Sequence, residues 1–138
     1  MKSKLNIMKE FLMCYVGIKR TLIHYFYFMR TQKEILGYYK YKFHDIDKII
    51  MYLFIPFIGK KRIAKIHQKY NKHHIREYKS IDQIDILEAI IDWESSKYKK
   101  YSYNQNAIEY FKEHKSNSKY SKEILEVFNS LKYYENHR

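Results

Sequence analysis

Only three glycines and one proline interrupt a chain of 138 residues, which leaves few positions for the tight turns that a many-stranded sheet requires. Apolar residues instead recur every three or four positions over long stretches, the period of a helix with one buried face. The expectation is an all-α fold: a compact helical bundle of about five to six helices, formed as one domain over residues 1–138.

The punctuation of that pattern sets the expected elements. A first helix runs from about Lys4 to Leu36, with a kink near Gly17, and stops at Gly37, a residue suited to the left-handed turn after a helix. A second covers His44 to Phe54, where Pro56 and Gly59 turn a corner before a third opens with Lys60-Lys61-Arg62. Ser80 with Gln83 has capping-box spacing and starts a fourth helix that continues through Trp93. Ser102 with Gln105 repeats the spacing before a fifth that ends near His114, and Ile124, Phe128 and Leu131 mark the last.

The formal charge of +12 raises the question of a polyanionic partner. Nineteen Ile stand against three Ala and two Val, a bias that AT-rich coding produces together with abundant Lys, and the basic residues are spread along the chain. Nucleic acid is therefore a partner that composition permits and does not favour. The single Cys14 excludes an internal disulfide and a Cys-based zinc site, which fits a reducing, cytoplasmic setting. The longest apolar run, Ile49 to Gly59, is about half the ~20 residues that cross a bilayer. The apolar run near the N-terminus is broken by Lys9 and Glu10, so it is read as the first helix and not as a leader.

Three groups of residues stand out for their chemistry. On the third helix, His67, Asn71 and His74 line up beside an apolar stripe of Ile63, Ile66 and Tyr70, while Lys65, Lys69 and Lys72 point away. Histidines at i and i+7 with an amide between them are a converging set; a pair of hydrogen-bonded core-edge histidines is the plainer alternative. On the fourth helix, Asp85, Glu88 and Asp92 form an acidic stripe whose i+4 neighbours are Ala89, Asp92 and Ser96, none of them basic. A bound cation would relieve that repulsion, and a solvated face is the other explanation. The third group is His44-Asp45 at a helix start, where the pair suits either a metal or a simple cap. His24 sits on a row with Met13, Gly17 and Phe28, where a buried imidazole needs a partner.

In order, His24, His44-Asp45 within HDIDK, and Asp92 resemble the H…HD…D pattern of the HD-domain metal-dependent phosphohydrolase superfamily, and HDIDK is similar to its HD-x-x-K form. The middle of the chain is more specifically similar to an uncharacterised family of small bacterial and phage proteins with an HD helix start, an H-x-x-x-N-x-H-H segment and an E-x-x-x-D-W segment. HQKYNKHH (His67 to His74) and EAIIDW (Glu88 to Trp93) match the last two, and the resemblance covers roughly residues 20 to 112.

The resemblance implies an HD-like helical fold in which His24, His44, Asp45 and Asp92 ligate a divalent metal ion. Mn, Mg, Fe, Ni and Zn are not distinguished by it. His67, His73, His74 and Glu88 become candidates for a second metal or for substrate phosphate, with Asn71 among the substrate-binding set. The interval from His24 to His44 is short for the superfamily. The expected function is metal-dependent hydrolysis of a small phosphate ester, a nucleotide being one candidate, with Asp92 or Glu88 taking a proton and Lys48 or a third-helix histidine steadying the phosphate. The competing expectation is a noncatalytic basic phage or bacterial protein that binds nucleic acid or a host protein, with interleaved Lys and Tyr over Lys97 to Tyr103 as the contact and any metal purely structural.

Overall fold

The 33 residues from Lys4 to Leu36 form one uninterrupted helix, α1. It ends where Gly37 takes φ 79°, the left-handed conformation that costs glycine nothing, and the Gly37 N–H donates to the Lys33 carbonyl at 2.9 Å. The helix continues through Gly17 without a break, because this glycine serves packing: a Cβ there would lie 2.6 Å from the Tyr52 ring. The computed structural model describes residues 3–77, 79–99 and 105–137. Every regular element among them is helical and none is a strand, so the all-α expectation holds.

After α1 come α2 (Ile46–Tyr52), the single turn α3 (Ile55–Ile58) and α4 (Lys60–Tyr70). The corner lies where the sequence marks it: Pro56 sits in the first turn of α3, where its missing N–H is not needed, and Gly59 at φ 81° joins α3 to α4. α5 (Gln83–Ser95), α6 (Ala107–His114) and α7 (Ser121–Ser130) follow, with short 3₁₀ turns at Lys72–His74, Ser96–Tyr98 and Lys132–His137.

Both capping boxes exist, on other residues than expected. Asp82 accepts from the Asp85 N–H at the start of α5 while Asp85 accepts from the Asp82 N–H. Asn106 and Glu109 do the same for α6. The Ser80–Gln83 spacing therefore falls short of the helix start; of the Ser102–Gln105 pair, Ser102 lies outside the described residues. A second difference concerns α4. It stops at Tyr70, because Asn71 turns to extended backbone (φ −89°, ψ 120°) and its side-chain Nδ2 donates to the His67 carbonyl at 3.1 Å, a C-terminal cap. The helical register therefore does not carry His67 on to His74, and Tyr70 is exposed, not part of an inward stripe.

The chain divides into two compact units, residues 1–26 with 43–71, and residues 27–42 with 72–138. The second holds the apolar core, built from α5, α6 and α7 around Ile86, Ile90, Trp93, Phe111, Ile124 and Phe128. Beside it the buried Glu94 accepts from Tyr133, Tyr134, Lys97 and the Ala107 N–H, so every oxygen of this carboxylate is occupied and the C-terminal turn is tied to α5. The first unit is different. Among its described residues the buried aliphatic side chains are Ile55 and Ile63, whereas Thr21, His24, His44, Asp45 and His67 are all buried. No helix of the described residues is long and apolar enough to cross a membrane.

Candidate metal centre

Asp45 occupies the N-cap position of α2 in a left-handed conformation, φ 56° and ψ 14°, and makes no side-chain capping bond. A non-glycine residue in this region carries strain, which Asp and Asn tolerate better than other residues. The plainer reading of the His-Asp pair, a helix cap, is thus excluded by geometry. The backbone turn directs the carboxylate inward, where it is 3 % exposed, and into a set of basic groups drawn from α1, the α2 start and α4.

His24, on the α1 face that also buries Thr21, places Nε2 3.2 Å from His44 Nε2. Asp45 Oδ2 lies 3.6 Å from the first and 3.7 Å from the second. These three atoms form a nearly equilateral triangle, and the point equidistant from its corners is about 2.0 Å from each, matching the metal–nitrogen and metal–oxygen distances of about 2.0–2.2 Å in protein zinc sites. Two imidazole nitrogens and a carboxylate oxygen are also a donor set that suits Zn, Mn, Fe or Ni. The residues fit a divalent ion on both distance and chemistry.

The carboxylate is held from other sides as well. Lys48 Nζ donates to Asp45 Oδ2 at 2.8 Å, from a side chain one quarter exposed. His67 Nε2 stands 2.9 Å from Asp45 Oδ1, and the opposite ring nitrogen, Nδ1, is 2.7 Å from Asp47 Oδ2. Asn71 Nδ2 donates to the same Asp47 oxygen at 2.9 Å. Asp45, Asp47 and His67 between them offer ligand atoms all within 4.8 Å of one another. Burial alone would pull the His67 pKa down, but its hydrogen bonds to Asp45 and Asp47 outweigh burial and hold it above the ordinary histidine value. Asp47 is correspondingly lowered: burial opposes this, and the His67 and Asn71 hydrogen bonds prevail.

Of the residues singled out in the sequence, the structure therefore brings together His24, His44, Asp45, Lys48, His67 and Asn71 in the first unit. Asp47 belongs with them and was missed as a site residue. Its only signal is the Asp-x-Asp spacing of HDIDK, and residues two apart share no face of a regular helix; they converge here because Asp45 is outside the helix and Asp47 inside it.

The remaining candidates lie in the second unit. His73, buried, and His74 follow α4 on the 3₁₀ turn with ring centroids 4.4 Å apart, and His73 Nδ1 is 3.5 Å from Glu88 Oε1 of α5. Ile75, next in sequence, has φ 44°, rare for a β-branched residue, and is buried in the second core. Asp85 leaves the acidic stripe for its capping box; burial raises its pKa, and the Asp82 charge adds to the rise. Asp92 is half-buried on α5, and its carbonyl accepts from Ser95 Oγ at 2.7 Å.

The first unit thus has a buried His/Asp cluster able to hold a metal ion. Comparison of the chain with known protein families, with curated proteins and with solved structures gives no match.

Proposed function

We propose that the protein is a divalent-metal-dependent hydrolase of a phosphate ester, with His24, His44 and Asp45 holding the ion. The observation that carries this reading is the triangle of Nε2, Nε2 and Oδ2 atoms spaced 3.2, 3.6 and 3.7 Å apart among buried side chains. When bound, such an ion lowers the pKa of water from about 15.7 toward neutrality and polarises a phosphoryl oxygen.

The protein's own groups have separable parts. Asp45 is the shared element, one oxygen facing the two histidines and Lys48, the other facing His67. Asp47 and Asn71 fix the His67 ring by engaging Nδ1 and the end of α4, which orients Nε2 toward Asp45. His67 and Lys48 are positioning residues for that carboxylate. Lys48 keeps a partly exposed ammonium beside it, suited to the negative charge of a phosphate. Asp92 and Glu88, the acids of the resemblance, belong to the second unit, and Asp92→Ala and Glu88→Gln are read separately for metal content and rate.

The test is release of phosphate from nucleotides and from p-nitrophenyl phosphate with manganese added. The expected result is metal-dependent turnover that disappears in Asp45→Asn while circular dichroism stays unchanged. Bound metal without turnover on any phosphate ester would replace the hydrolase with a structural ion tying α1, α2 and α4 together.

A further inference from the structure

The first unit exposes an unusual amount of apolar side chain. On α1, Leu5, Met8, Leu12, Tyr15 and Leu22 recur every three, four or seven residues and are each at least half exposed, opposite the face where Gly17, Thr21 and His24 pack inward. At the corner between α2 and α4, Leu53, Phe54 and Phe57 are exposed, Phe57 at 86 %. Lys60, Lys61 and Arg62 follow at once and are exposed too.

Charge is as uneven as hydrophobicity. Residues 1–26 and 43–71 carry eleven Lys and Arg against three Asp and Glu, whereas the second unit carries sixteen against twelve. Two of the first unit's three acids, Asp45 and Asp47, are engaged with histidines in the cluster. Large apolar side chains next to unbalanced basic ones are the pattern of a face that enters the headgroup region of a membrane: apolar groups bury at the acyl boundary while Lys and Arg meet lipid phosphates.

We infer that the first unit is a docking surface for an anionic lipid bilayer, with Phe54 and Phe57 as the inserting side chains and Lys60, Lys61 and Arg62 as the phosphate contacts. Charge complementarity selects this occupant. A second copy of the chain would set the positive surface against itself, with Lys19 inside the α1 stripe. A nucleic acid would meet the charge but leave Leu, Met and Phe side chains in water. The inference is independent of the proposed hydrolase, since none of these residues belongs to the metal cluster.

The experiment is co-sedimentation of the full chain with vesicles of phosphatidylcholine alone and of phosphatidylcholine mixed with phosphatidylglycerol. Sedimentation is expected with the anionic vesicles, and at least about tenfold weaker with the neutral ones. Phe54→Ser with Phe57→Ser, and separately Lys60→Gln, Lys61→Gln with Arg62→Gln, are each expected to weaken it by about tenfold or more. Both variants alter exposed side chains, and unchanged circular dichroism verifies that they fold. Failure to sediment with anionic vesicles overturns the inference, as does sedimentation that neither variant weakens. A stable dimer by light scattering that Met8→Lys with Leu12→Lys dissociates would give the face to a second copy. Salt-sensitive RNA binding in place of vesicle binding would give it to nucleic acid. Both of these overturn it as well.

Discussion

Asp45 concentrates the chemistry of the first unit in one side chain. Its left-handed backbone costs up to about 1–2 kcal/mol relative to helical φ and ψ, and the return is a carboxylate whose two oxygens face three histidines and a lysine. Strain of this kind persists where surrounding contacts over-determine it. Asp47 acts one step removed, through His67. Asp47→Asn is therefore expected to weaken metal binding by about tenfold, within the range for partners that orient a metal site's neighbours, in a competitive chelator titration; an unchanged affinity would show that His67 needs no such support. At this scale the sequence was only partly legible. His44-Asp45 is visible as a pair, but a pentapeptide does not say whether the acid caps its helix or turns away, and that choice rests on one backbone dihedral.

Helices were the most legible level, and their ends show why the rest was not. Gly37 and the Pro56–Gly59 corner mark boundaries by backbone conformation, which the sequence states directly. The end of α4 has no such residue: Asn71 caps it through a side-chain bond whose other partner, Asp47, is 24 residues away. A periodicity rule runs past that point and puts His74 on a helix it does not occupy. The end of α1 shows a different long-range tie. Tyr98 donates to both oxygens of Glu34, at 2.6 and 2.8 Å, and Arg30 and Lys97 donate to it too, while the Arg30 guanidinium lies over the Tyr98 ring. Burial works against ionisation of Glu34, but these bonds outweigh it and hold its pKa below the usual 4.5. A carboxyl lowered on folding adds stability that is complete above its unfolded value and is lost as pH falls through the folded one. Glu34→Gln should therefore lower the melting temperature most above about pH 5, by an amount equivalent to about 1 kcal/mol or less for so exposed a group. The difference from the parent should close as the pH drops below about 4.5; thermal melts across that range check it, and a constant difference would contradict the assignment.

Across the whole molecule the two units differ in what fills them. The second has an apolar core of helices with a buried, fully bonded carboxylate beside it. In the first, the buried side chains are mainly polar, and polar groups taken out of water contribute net stability only when their partners are well placed. An ion with two imidazoles and a carboxylate around it supplies that, and its binding free energy becomes folding free energy for this unit. The composition gave no hint of this division, because its charge and apolar content average over both units; the basic, apolar-faced half is the one enclosing His24, His44 and His67. Whether His24, His44 and Asp45 bind a divalent ion is decided by elemental analysis of protein purified without chelator. About one equivalent per chain is expected, falling below about one tenth in Asp45→Asn. Metal-free parent protein after incubation with each candidate ion, or an Asp45→Asn chain that keeps its full equivalent, would rule out an ion held by these three side chains.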